Sequence, residues 1–352
     1  MANPYRFLSD SAFWKRSVAA PDWTEVDPVS EPPFRIGPDD RIATAGSCFA
    51  QHLSGTLVRL GYRFMITEPG PQDVGPERNY GVYPARFGNI YTVRQLLQLF
   101  DRAYGLFRPL DEVWRRPDGA SADPFRPQIE PDGFGSQAEL EADRKRHLAC
   151  VRAMFEGCDV FIFTLGLTET WISTRDGAVF PVAPGVSAGE PTDDYAFHNL
   201  TVAEMTADLR AALRKLRAVN PGVRVILTVS PVPLVATYEP RHALISNTYS
   251  KAALRVVADE VVRAEPQTAY FPSYEIVTGP QTRGRLFADD LRSVTAEGVA
   301  HVMDLFARRY LAGPGGEATQ PSASPSPLAD RDRVRLEALA EVVCEEEALD
   351  SL

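Results

Sequence analysis

Ser47 is the residue of this chain best placed to do chemistry. It stands in Ala45-Gly46-Ser47-Cys48-Phe49-Ala50, where the apolar run of Ile42, Ala43 and Ala45 gives way to Phe49, Leu53, Leu57, Val58 and Leu60 at three-to-four spacing. The first pattern predicts the end of a buried strand and the second an amphipathic helix. A serine at such a junction has two readings: a nucleophile beside free helix N–H groups that hold negative charge, or a plain helix cap. Gly46 allows the tight turn. Cys48 reads as a thiol of lowered pKa at a helix N-terminus or as a small buried apolar residue.

Three further segments carry groups that could serve the same reaction. In Arg86-Phe87-Gly88-Asn89-Ile90-Tyr91-Thr92, Gly88 and Asn89 can offer a backbone N–H and an amide to an oxyanion, or form a turn capped by Asn89 or Thr92. In Thr164-Leu165-Gly166-Leu167-Thr168-Glu169-Thr170-Trp171, Thr168 can donate its hydroxyl to that oxygen and Glu169 can hold the loop through backbone N–H groups; a capped loop end is the alternative. In the segment 287–298, Asp290 stands three positions ahead of residue 293, where a histidine would complete a Ser-His-Asp relay. That residue is Ser293.

The elements that must position these groups follow from periodicity. Strands are expected over 41–46, 62–66, 159–165, 223–230 and 268–271, and helices over 48–60, 92–104, 137–155, 202–218, 246–264 and 295–311. Continuous apolar strands such as Val160-Phe161-Ile162-Phe163 imply burial on both faces. The expected fold is a three-layer α/β/α sandwich with a doubly wound parallel sheet, whose ligands bind at the C-terminal strand ends. Insertions at 68–89 and 170–199 read as binding walls or as solvated decoration. Residues 1–39 are a Pro-rich lead-in, 40–312 the α/β domain, 313–329 a linker and 330–352 an acidic amphipathic helix, expected to dock on the domain or on a second copy.

With 352 residues, 44% of them hydrophobic, the chain can bury one sizeable core. Its net charge of -10 argues against nucleic acid or an anionic membrane surface as partner. The four cysteines form no C-x-x-C pair, so neither a metal site nor a disulfide framework is expected. No G-x-G-x-x-G follows the first strand and no phosphate-cradling G-x-x-x-x-G-K is present, so no nucleotide cofactor is expected. The N-terminus lacks the basic start and apolar run of a signal peptide, which places the chain in the cytoplasm.

Ala45-Gly46-Ser47-Cys48-Phe49-Ala50 resembles the motif of the GSCFA domain family, a branch of the SGNH/GDSL hydrolase superfamily. Segments 85–92, 164–171, 228–234 and 270–275 are similar to family segments in the same order, and the resemblance runs from about 42 to 306. It implies a flavodoxin-like fold and hydrolysis or transfer of an ester-linked acyl group, often acetyl on a glycan. By position, Ser47 matches the nucleophile and an oxyanion donor, Gly88 a second donor and Asp290 the acid of the D-x-x-H block. Thr168 stands at the oxyanion Asn position. Apart from the resemblance, Asn89 and Glu169 are expected to face the substrate.

Ser293 in place of the histidine leaves three readings. Another histidine serves as base, His242 ahead of His198; or the chain binds a glycan or acylated ligand without cleaving it, with Tyr83, Tyr91 and Trp171 as flat contacts; or residue 293 was substituted to trap a substrate. His52 and His301 are expected to pack or point outward, and His147 to lie on a solvated helix face beside Arg144, Lys145 and Arg146.

Overall fold

Phe161, Phe163 and Leu165 pack on one side of the central sheet while Val160 and Ile162 pack on the other, so this strand is apolar on both faces and needs a helix layer over each. The computed structural model describes residues 3–71 and 78–313. In chain order its regular elements are β1 (Ile42–Gly46), α1 (Ala50–Arg59), α2 (Val93–Ala103), β2 (Trp114–Arg115), β3 (Ser121–Ala122), α3 (Gln137–Gly157), β4 (Val160–Leu165) and β5 (Glu169–Ser173). They continue with β6 (Val179–Phe180), β7 (Tyr195–Asn199), α4 (Val202–Val219), β8 (Arg224–Val229), α5 (Ala243–Ala264), β9 (Thr268–Phe271), α6 (Ser273–Thr278) and α7 (Ala296–Tyr310).

The main sheet is parallel throughout, in the order β1-β4-β8-β9. Helices α2, α3, α4 and α5 cover the face of Phe161 and Phe163; α1, α6 and α7 cover the face of Val160 and Ile162. The expected three-layer sandwich is what the chain forms. The strand expected over 62–66 shrinks to one parallel bridge, Phe64 to Ile42, because Thr67 and Glu68 turn away from the edge and donate to Pro84 O at 2.8 and 3.1 Å. With Phe64 on one side of β1 and β4 on the other, the crossovers diverge at β1. That divergence is the switch point at which open α/β sheets bind ligands.

The 170–199 insertion is more ordered than a Gly/Pro/Asp-rich stretch suggests. It holds a three-stranded antiparallel sheet, β6-β5-β7, whose Phe180 and Tyr195 rings pack with Trp114. The lead-in is tied to the end of α7: Ile36 pairs with Leu311, and Asp27 meets Arg309 at 2.7 Å. The acidic helix expected over 330–352, and with it the second-copy contact, lies outside the described residues.

Candidate active site

β1 leaves the sheet through Gly46, whose φ of +135° suits glycine alone; a Cβ there would stand 2.3 Å from Thr164 O. The Ser47 amide donates to that same carbonyl at 3.1 Å, and Ala50 N closes back onto Ser47 O at 2.8 Å. The N-cap of α1 is Phe49, with no side-chain cap. Ser47 is therefore no helix cap. Its Oγ is buried and has no hydrogen-bond partner. Leaving a hydroxyl so costs about 1–3 kcal/mol, which stability alone does not explain. One expectation is corrected here: the Ser47 N–H expected to hold an oxyanion is engaged by Thr164 O.

Gly166 follows β4 and abuts Ser47. A Cβ on it would lie 2.9 Å from Ser47 Cβ and 3.3 Å from Tyr91 O, and the amides of Gly166 and Leu167 both donate to Tyr91 O, at 3.1 and 3.0 Å. Three segments distant in sequence thus meet at one corner. Thr168, two residues on, is buried, and its Oγ1 is a second hydroxyl without a partner. Glu169 does not brace its own loop. Its carboxylate accepts from Thr237 Oγ1 at 2.6 Å and Tyr238 N at 3.1 Å, tying the loop to the segment after β8.

The 85–92 segment is pinned from both sides. Ile90 N donates to Gly46 O at 2.8 Å, and the Tyr83 hydroxyl lies 2.8 Å from Asn89 Oδ1 and 3.2 Å from Ser47 O. Asn89 Oδ1 also accepts from Gln51 of α1 at 3.3 Å, so the amide oxygen helps to hold the turn. Gly88 takes a φ of +70°, and no described residue accepts its amide.

Behind the turn, Arg86 is buried against Glu130 (2.6 Å) and Asp143 (3.3 Å), and Arg126 against Asp123 and Asp143. His147 belongs to this cluster and not to a solvated face: it is fully buried, its Nδ1 2.7 Å from Glu68 Oε2. Burial holds its pKa down to about 4, so the imidazole is neutral and donates from Nδ1. Burial disfavours the Glu68 carboxylate, but the His147 bond, the charge of Arg126 and the Arg86 amide outweigh it and hold the group below the usual range.

The model of the GSCFA family matches residues 41–306. The chain belongs to the GSCFA family. No curated protein matches it. Among solved structures, this GSCFA chain is similar to a Clostridium thermocellum family 3 carbohydrate esterase, at 10% identity over 76% of this chain and 93% of that one, with a TM-score of 0.32. A carbohydrate esterase family 3 protein from Talaromyces cellulolyticus matches at 16% identity over 61% and 87%, TM-score 0.26. A serine-to-alanine mutant of an acetyl esterase, with acetate ion, matches at 16% over 60% and 86%, TM-score 0.23. Likenesses this loose transfer no residue's role.

The GSCFA chain departs from a serine-histidine relay in a definite way. Asp290 and Ser293 sit on an exposed loop, where Asp290 accepts from Ser293 Oγ at 2.6 Å and from the amides of Arg292 and Ser293 at 2.9 Å. Those bonds, the hydroxyl first, lower the Asp290 pKa. His242 is exposed and caps α5, its Nδ1 accepting from Leu244 N at 3.1 Å. His198 Nε2 pairs with Glu204 at 2.8 Å, His301 packs on Trp23, and burial holds His52 down to about 4. None of the five histidines hydrogen-bonds to Ser47 Oγ.

Lys251 was not anticipated. It is buried on α5, and its Nζ donates to Gly166 O at 2.9 Å, fixing the turn that touches Ser47. The sequence signal is slight: a lysine beside the small residues Ser250, Ala252 and Ala253. Tyr83 and Tyr91, expected as flat ligand contacts, are buried; Trp171 does line a cleft. Among the described residues no three His, Cys, Asp or Glu side chains gather as metal ligands would, and no helix is long and apolar enough to cross a membrane.

Proposed function

We propose that Ser47, as nucleophile, handles acyl esters, of a small molecule or a glycan, with Gly88 and Thr168 as its partners. One observation carries this reading: of the five buried hydroxyls without partners among the described residues, Thr44 and Thr164 lie within β1 and β4 and Ser250 on α5, while Ser47 and Thr168 lie past the ends of β1 and β4, at the switch point of the sheet. In the proposed reaction Ser47 Oγ bonds to the carbonyl carbon and the π electron pair moves to the oxygen. The Gly88 N–H and the Thr168 hydroxyl stabilise that oxygen. Collapse expels the alcohol, and water or a second hydroxyl then takes the acyl group from Ser47. Ser293 is no base, so the Ser47 proton leaves to water and acylation is slow; a positioned base typically contributes roughly 10²–10⁴ in rate.

A second reading, binding without turnover, is favoured by the bond between Ser293 and Asp290 that occupies the relay's place. A fluorophosphonate probe separates the two. Slow labelling at Ser47, absent from Ser47→Ala, supports the nucleophile; no labelling of the parent or of Ser293→His sinks it.

A further inference from the structure

Beside the Ser47 corner lies a cleft of about 260 Å³, walled by the β5–β7 sheet, the turn after β6 and the segment after β8. Leu167 and Glu169, the neighbours of Thr168, both line it. Leu167 and Leu234 pack with Tyr91, the residue whose carbonyl holds the Gly166 turn against Ser47. The Gly166–Leu167 turn thus abuts Ser47 through Gly166 and lines the cleft through Leu167.

The lining is apolar in a specific sense. Trp171, Phe197 and Tyr238 form a ring cluster, with Trp171 and Tyr238 centroids 4.9 Å apart and Phe197 and Tyr238 5.3 Å apart. Leu167, Val182 and Leu234 extend it. Of its polar side chains, Glu169 is engaged by Thr237 and the Tyr238 amide, Thr237 by Glu169 and Ser246, and Thr170 by Phe180 O, which leaves the Trp171 indole N–H and the Tyr238 hydroxyl as the only polar groups open to a ligand among the lining side chains. A sugar ring would find aromatic faces but few partners for its hydroxyls, and unpaired hydroxyls in a closed site are costly. An alkyl or aryl group would lose nothing. The volume is roughly nine times the ~30 Å³ share of one water, well beyond what an acetyl group fills.

We propose that this cleft binds the apolar acyl group of the substrate, an alkyl or aryl chain longer than acetyl, and so sets the acyl specificity of the Ser47 site. The proposal rests on the reading of Ser47 as nucleophile, but binding can be read without it. The experiment uses the full-length Ser47→Ala chain and follows Trp fluorescence during titration with ethyl acetate, butyrate, hexanoate and octanoate. Each added methylene is expected to tighten binding about fourfold until the cleft is full. Ala236→Phe at the exposed rim and Val186→Trp deeper in are each expected to flatten that series.

A flat series in Ser47→Ala overturns the proposal, as does a response to xylo-oligosaccharides with none to the alkyl esters. Binding that appears only when the chain is ended at residue 313 also overturns it, because the occupant is then the chain's own tail. Labelling of Ser47 by fluorophosphonate with a flat series leaves the nucleophile standing and removes the cleft; a steep series without labelling does the reverse.

Discussion

The two halves of the sheet treat their hydroxyls differently. After β8 and β9, Ser230 Oγ accepts from Val232 N at 3.3 Å, and Ser273 Oγ lies 2.6 Å from Thr228 Oγ1 while donating to Val229 O at 2.8 Å. After β1 and β4, Ser47 Oγ and Thr168 Oγ1 are as deeply buried and have no partner. Both halves end parallel strands on small hydroxyl residues, so composition does not separate them. What separates them is whether a neighbour completes the hydrogen bond. The engaged hydroxyls serve the fold; in the half at the switch point Ser47 and Thr168, like Thr44 and Thr164 within the strands, have no partner in the protein, and in the proposed function the first two are kept for a ligand.

The sharpest way to test that contrast is to supply the missing base. Asp290 already accepts from residue 293, so Ser293→His is expected to raise the rate of Ser47 acylation about 10²- to 10⁴-fold in a stopped-flow assay with an activated ester. An unchanged rate would mean that the relay does not reach Ser47. Next in size, Thr168→Val is expected to lower the same rate about 10²- to 10³-fold with no loss in urea stability. A stability loss without a rate loss would make Thr168 structural.

Stability should invert between the halves. Ser273→Ala removes the donor to Val229 O and is expected to cost about 1 kcal/mol of unfolding free energy. Ser47→Ala removes a hydroxyl that bonds nothing, and is expected to cost nothing or to stabilise. Equal losses at the two serines would erase the distinction.

The smallest effect lies beneath the 85–92 turn. The pKa of His147 falls from 6.5 to about 4 on folding, so the unfolded chain binds the extra proton between those values. Its contribution to stability is complete above pH 6.5 and declines as pH falls toward 4. His147→Gln is expected to flatten the dependence of the urea midpoint over that window, and an unaltered slope would place the titrating group elsewhere.

The central layer was legible because its signal is local. Val160–Leu165 and Thr268–Phe271 are continuous apolar runs, and α4 and α7 repeat apolar residues at helical spacing behind threonine caps. The strand expected over 62–66 has the same local pattern and is lost to a distant one: the bonds from Thr67 and Glu68 to Pro84. His147 reads as solvated beside three basic residues, yet Glu68 and Arg126, far away in sequence, enclose it in the interior. Lys251 shows the same limit, since its partner is a carbonyl 85 positions earlier.

By itself the sequence determined the alternation of strands and helices, the glycine that lets β1 turn and the serine that follows it, because those depend on neighbours along the chain. Which hydroxyls would be left without partners, which histidine would be sealed in and which would cap a helix, and that an apolar cleft would open beside Thr168 were decided by the tertiary structure. Hydrogen bonds and enclosure are completed across space, by residues the chain meets only once it has folded.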